Sequence, residues 1–251
     1  MYYNDELLCI KSNSRFGFVP GKKYLVENGL LVDGDAFLPV FSNCGYFKNL
    51  ESINSYYTHD VEFIPFEENP LKNDIQLLKF PSKQDWMECK DAALTTVGKK
   101  AVNLPDDVWK KKILLSEHSP IRELWFKVRM VIPYYVSVHL VRHHEGVNHY
   151  VQSQRNDRQD KYDRKKAPQD SMVIHEMSFN AQALLYMANK RLCKKADEKT
   201  REIMQDICKL ISFNCPEFKY FLVPQCEKLG YCPEFDPCGR EIAHGVARIA
   251  D

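Results

Sequence analysis

The sequence predicts an α+β protein: long helices packed on a modest antiparallel sheet, with a small β-rich module at the N-terminus. Three observations carry that expectation. Leu124, Phe126, Val128 and Met130 alternate with Trp125, Lys127 and Arg129, the period of a strand with one core face. Ile203, Ile207, Leu210 and Ile211 recur at helical spacing, as do Phe179, Ala183, Leu184, Met187 and Ala188. Near the N-terminus, Leu30-Leu31-Val32 and Ala36-Phe37-Leu38 flank Asp33-Gly34-Asp35, where glycine accepts the positive φ of a hairpin turn.

In chain order, Phe47, Leu50, Ile53 and Tyr57 give a short amphipathic helix after the hairpin. Glu67-Glu68-Asn69-Pro70 reads as a linker, because Pro70 discourages a continuous helix, so residues 1–70 form an accessory module and 71–251 the main domain. Nothing in the accessory module has catalytic character, which suits packing or oligomerisation. Ser82 with Asp85 three residues on is a capping box opening a helix through Trp86, Cys89 and Ala93. Pro105 occupies a first helical position ahead of Val108, Trp109 and Ile113. After the alternating strand, Pro133 starts a helix carrying Tyr135, Val138 and Val141, which delivers Arg142 and His143 at its end.

Composition narrows the function. A chain of 251 residues, 44% hydrophobic, can build a sizeable core. A formal charge of +1 argues against coating nucleic acid, and no apolar run is long enough to span a bilayer. The first residues, Met1-Tyr2-Tyr3-Asn4-Asp5-Glu6, lack the pattern of a signal peptide, and nine cysteines without one suit a reducing, cytoplasmic setting.

The chemistry concentrates in Arg142-His143-His144 and Ser153-Gln154-Arg155: two guanidiniums, imidazoles and a hydroxyl just after a core segment. Arginine grips phosphate with a rigid donor fork, so the stretch reads as an anionic-ligand site, a nucleotide foremost. His139 and His143, four apart on one helix, have metal-ligand spacing, but no His-Glu-x-x-His pattern is present and Arg142 would set a positive charge beside the cation. Ser153 with His118 or His143 as base lacks a nucleophile elbow and an orienting Asp, which favours a ligand-binding hydroxyl. The cations from Arg158 to Lys166 are diluted by aspartates and read as a solvated loop. Asn180, Gln182, Asn189 and Arg191 either face water or read the edge of a heteroaromatic ring; the pattern admits both. Cys215, Cys226, Cys232 and Cys238 crowd the C-terminal tail; four thiolates could hold a structural zinc, but without a C-x-x-C pair the reading as free thiols in a packed tail is favoured and no metal site is assigned.

Together these segments resemble the flavin-dependent thymidylate synthases. The family signature, Arg-His-Arg, seven residues, then Ser-x-Arg, is matched by Arg142-His143-His144, eight residues, then Ser153-Gln154-Arg155. Glu117-His118-Ser119-Pro120 resembles the family's His-x-x-Pro turn. Asn180-Ala181-Gln182-Ala183-Leu184 through Asn189-Lys190-Arg191 resembles its Asn-x-Arg-Ser-Leu helix ending in Asn-x-Arg. The likeness covers roughly residues 75–225. It implies that Ser119, Arg142, His143, His144, Asn180 and Gln182 bind FAD, with His118 near the folate or flavin. It implies that His139, Ser153, Gln154, Arg155 and Arg191 bind dUMP. Arg142, His118 and Arg191 are the implied catalytic groups, an arginine against the uracil carbonyl stabilising charge as carbon 5 turns nucleophilic. The implied reaction is methylation of dUMP to dTMP with methylenetetrahydrofolate and NADPH, without a covalent protein nucleophile, in a homotetramer with shared active sites.

The chain departs from the family pattern in four places. His144 replaces an arginine and gives up a permanent charge, an extra residue precedes Ser153, Val151 stands where an acidic residue is usual, and Gln182 replaces an arginine. The family's Ala-Arg-x-x-Leu-Pro phosphate contact lacks a clear counterpart, Arg164 being the nearest candidate. A pyrimidine-nucleotide hydroxymethylase, or a non-catalytic nucleotide-binding protein on the same scaffold, are the alternatives these departures leave open.

Overall fold

The computed structural model describes residues 5–12, 18–27, 30–33, 50–57, 60–158 and 163–242. The first unit contains β1 (Asp5–Lys11), β2 (Lys23–Glu27), β3 (Leu30–Asp33), α1 (Leu50–Tyr56) and β4 (Glu62–Pro65), its antiparallel sheet ordered β3-β2-β1-β4. Leu30-Leu31-Val32 is a strand as expected, paired with β2; the expected turn at Gly34, the strand at Ala36-Phe37-Leu38 and Phe47 lie outside the described residues. The core of this unit is aromatic. Phe18 meets Tyr24, Tyr57 and Phe63 edge-on at centroid distances of 5.3, 5.1 and 5.1 Å, the arrangement ring quadrupoles favour. The Glu67–Pro70 stretch holds a single 3-10 turn, Phe66–Glu68.

The second unit contains β5 (Ile75–Lys79), α2 (Lys83–Thr95), α3 (Asp107–Leu115), β6 (Trp125–Pro133), α4 (Tyr134–Leu140), β7 (Val147–Val151), β8 (Met172–Asn180), α5 (Ala181–Arg191), α6 (Glu198–Asn214) and α7 (Gln225–Leu229). Its antiparallel sheet is ordered β5-β6-β8-β7, with β6 and β8 in register from Trp125↔Asn180 to Pro133↔Met172. Phe126, Val128, Met130 and Ile132 are fully buried, and Met177 and Phe179 cover the same face. Against that face pack α5 and the stripe Ile203, Ile207, Leu210 and Ile211 of α6. The α+β expectation therefore holds, and no described helix is long and apolar enough to cross a membrane.

Two side chains on α6 lock distant segments together. Asp206 is wholly buried and accepts hydrogen bonds from the backbone N–H of Lys72 and Asn73 at 2.8 and 3.1 Å and from Asn73 Nδ2 at 2.8 Å, with Lys209 Nζ on its other oxygen at 3.2 Å. Asn214 accepts from Ser12 N–H and donates to the Ile10 carbonyl, tying α6 to β1.

The Ser82–Asp85 capping box forms in full. Three expectations need correction. Pro105 precedes the helix instead of starting it: Asp106 is the N-cap, its Oδ1 accepting from Trp109 N–H at 2.7 Å, and this bond decides where α3 begins. On α4 the buried face is Val136, Ser137 and Leu140, while Val138 and Val141 are exposed. Phe179 belongs to β8, since Asn180 caps α5 and helix begins only at Ala181. Strands β5, β7 and β8 carry interspersed polar residues such as Asn148, His149, His175 and Glu176, which hid their period from sequence reading.

Candidate functional site

Arg142-His143-His144 leaves the end of α4 in a turn and feeds β7 through Gly146. Gly146 has φ +69° and lies so close to Asn180 that a Cβ there would stand 2.6 Å from Asn180 Nδ2. Only glycine suits both demands. Asn180 is held twice: its N–H donates to the Gly146 carbonyl at 3.0 Å, and its Oδ1 accepts from Ala183 N–H at 2.9 Å as the cap of α5. Asn180 lines a cleft of ≈ 630 Å³. Arg142, His143, His144, Asn180 and Gln182 all line this cleft, so five of the six residues expected at the cofactor converge from two segments of chain.

Behind the cleft, hydrogen bonds determine which ring nitrogens carry protons. Arginine has only donors, so the 2.8 Å bond from Arg191 Nε makes His143 Nε2 an acceptor and puts the His143 proton on Nδ1. Burial first, and the Arg191 guanidinium second, lower His143 from 6.5 to about 4, keeping the ring neutral at pH 7. Its backbone carbonyl accepts from His149 Nε2 at 2.6 Å, so that nitrogen is protonated. His149 Nδ1 and His175 Nε2 share a hydrogen bond of 3.0 Å. The wholly buried His175 Nδ1 has no hydrogen-bond partner among the described residues. Burial, with His149 second, lowers His175 to about 4. The far end of Arg191 donates from Nη2 to the His139 carbonyl at 2.9 Å, so this side chain pins the end of α4 to α5.

The rim combines paired and unpaired groups. Gln182 Oε1 accepts from Arg122 Nε, and Glu117 pairs with Lys228. Glu117 sits just past α3 with φ 48°, a left-handed conformation that costs a residue with a Cβ about 1 kcal/mol. Among the described residues Arg142 has no acidic partner, although it is exposed and lines the cleft. Asn189 is buried on the cleft wall with Oδ1 unsatisfied, an acceptor that a bound donor would complete.

The other expected site residues lie elsewhere. Ser153, Gln154 and Arg155 follow β7 at the end opposite Arg142. Arg155 makes a two-pronged bond to Asp157, 2.9 Å from Nε and 2.7 Å from Nη2, with both side chains more than half exposed. His118 and Ser119 are exposed at the start of a 3-10 turn, Ser119–Glu123, and their neighbours Glu117 and Arg122 reach the cleft instead. His139 turns away: its Nδ1 meets Thr200 Oγ1 at 2.9 Å, and Thr200 in turn donates to Asp197. Arg164 is exposed, its N–H held by Asn156 Oδ1. Sequence reading missed Gly146, the His149–His175 pair and the Glu117–Lys228 rim. Of these only Gly146 left a signal, a glycine between a cationic turn and a strand.

No family model and no curated protein matches the chain. Among solved structures it is similar to a UMP/dUMP methylase, PolB from Streptomyces cacaoi bound with 5-Br dUMP. The TM-score is 0.47 at 13% sequence identity, over 60% of this chain and 95% of that one.

Proposed function

We propose that the cleft holds FAD and that the chain methylates dUMP to dTMP with methylenetetrahydrofolate and NADPH. The observation that carries this reading is the convergence of Arg142, His143, His144, Asn180 and Gln182, quoted above for their likeness to flavin-dependent thymidylate synthases, on one cleft. The cleft fits such a group on three counts. Its ≈ 630 Å³ lies within the usual size of cofactor pockets. It offers an unpaired guanidinium at Arg142 for phosphate. It also presents amide donors and an orphaned acceptor at Asn180 and Asn189 for a heteroaromatic edge. Reduced flavin, when bound, supplies the hydride that turns a transferred methylene into a methyl group.

The chain's own residues bind and orient. Arg142 holds phosphate at the mouth, Asn180 Nδ2 donates along the ring edge, and His143 offers an Nδ1–H whose position Arg191 fixes. Ser153, Gln154 and Arg155 take the nucleotide phosphate, Arg155 exchanging Asp157 for it. They stand a strand of five residues away from the cleft, roughly 17 Å at 3.4 Å per residue. That separation is too long for one small pocket, so the nucleotide site of one subunit would face the flavin cleft of another in a homotetramer. In this arrangement Arg191 acts on the reaction by positioning His143.

Purified protein incubated with dUMP, methylenetetrahydrofolate and NADPH tests the proposal by product mass. A methyl group added with NADPH consumption supports it. A hydroxymethyl product replaces it with the hydroxymethylase reading, and nucleotide binding without NADPH oxidation leaves a non-catalytic binding protein.

A further inference from the structure

We propose that Tyr186 is the platform on which the isoalloxazine ring of bound FAD stacks. This rests on the flavin reading of the cleft and adds the side chain that meets the face of the ring. Helix α5 is an interior element: from Ala181 to Arg191 every residue is buried or half-buried except Tyr186, which is 56% exposed. A helix without a solvent face has no ordinary place for an exposed aromatic side chain. Tyr186 is open because it borders the cleft, on one stripe of α5 with Gln182 and Asn189 at helical spacing.

The surroundings leave the ring-binding role to this residue. Among the described residues the rest of the cleft lining is charged, polar, small or imidazole-bearing, and Val147 is buried. Gln182 is engaged by Arg122 and Glu117 by Lys228, so much of the polar rim is paired within itself. A nucleotide cofactor needs two different surfaces, one for phosphate and one for a planar ring. Arg142 supplies charge for the first and Tyr186 apolar area for the second. A ring stacked there removes exposed aromatic surface from water, which favours binding.

The platform is also held in place. His143 meets Tyr186 nearly perpendicular, with centroids 5.7 Å apart and ring planes at 73°. One perpendicular neighbour cannot cover both faces of a ring, and the exposure of Tyr186 shows that much of its surface stays open. His143 is fixed in turn by Arg191 Nε at 2.8 Å, so Arg191, His143 and Tyr186 form a braced row from α5 to the turn after α4. Tyrosine suits such a role because it has few torsions to freeze when a ligand lands. Arg191 therefore positions the platform as well as the imidazole.

The test titrates the full chain with FAD as wild type, Tyr186→Phe and Tyr186→Leu, with Tyr220→Leu, an exposed residue outside the cleft, as control. Titration gives the affinity, and the fluorescence of the bound flavin reports contact. A phenol ring touching excited isoalloxazine quenches it by transient electron transfer, which a phenyl or aliphatic group does not. Because Tyr186 is exposed, the substitutions spare the core, and circular dichroism checks this. Tyr186→Leu should bind FAD at least about tenfold more weakly and Tyr186→Phe within about threefold of wild type. Flavin bound to either variant should be brighter than flavin bound to the wild type or control. FAD binding by Tyr186→Leu as tight as by wild type would overturn the platform and leave the flavin reading standing. Weaker binding with unchanged fluorescence would also overturn it, by placing the adenine end of FAD on Tyr186. A wild type that binds no FAD would overturn the platform and the flavin reading together.

Discussion

Gly146→Ala perturbs the site at its narrowest point, and its cost divides into two parts. Holding a residue with a Cβ at φ +69° costs about 1 kcal/mol. The new Cβ also stands 2.6 Å from Asn180 Nδ2 and 2.9 Å from its Oδ1, the atom that caps α5. Displacing that cap costs a further ~1 kcal/mol, giving about 2 kcal/mol in all. Asn180→Ala alone removes the cap at about 1 kcal/mol. The double variant no longer has an amide to displace, so it should cost about 2 kcal/mol where additivity gives about 3. Urea denaturation followed by circular dichroism measures all three, and a coupling of about −1 kcal/mol is the expected outcome. Costs that add to within about 0.3 kcal/mol would show that Gly146 and Asn180 do not press on each other, and would remove the reason given for the geometry of the cleft wall.

Arg191→Met removes both the donor to His143 Nε2 and the second cause of its depression, while the larger cause, burial, stays. His143 should then titrate about one pH unit higher by NMR, with its proton no longer confined to Nδ1; an unchanged titration would show that the guanidinium does not set the state of this ring. His143 and His175 both fall from 6.5 to about 4 on folding, so the unfolded chain takes up their protons first. Their contribution is fully present above pH 6.5 and is lost as pH falls toward about 4, and denaturation midpoints should decline through that window more steeply in the wild type than in a His175→Gln variant. Asp206→Ala leaves the backbone donors of Lys72 and Asn73 without an acceptor, and thermal or urea unfolding should report a loss of about 3 kcal/mol; a loss under about 1 kcal/mol would mean the loop before β5 is held by other contacts.

Sequence alone conveyed the parts of the fold that repeat with a simple period. The β6 alternation and the α6 stripe are long runs with one apolar face, and the Ser82–Asp85 box is a local pattern that needs nothing distant to form. β7 and β8 are illegible in sequence because polar residues interrupt their apolar alternation: His175 takes a buried position between Val173 and Met177, Glu176 faces the other way to pair with Lys127, and Asn148 is exposed. At the site, motif likeness anticipated which side chains gather at the cleft but not which way the others turn. His139 goes to Thr200 and Arg191 to His143 because those partners arrive from α6 and α4, elements separated from them by tens of residues. The tail cysteines were grouped by proximity along the chain, whereas Cys215 is buried in the core.

The central claim, that the Arg142 cleft is a flavin site, is tested most directly by the flavin absorbance of purified wild type and Arg142→Ala after both are reconstituted with FAD and desalted. The wild type should retain the cofactor and the variant should lose at least about nine-tenths of it, the cost of a charge-assisted phosphate contact. Equal retention by both proteins, or none by either, would contradict the claim.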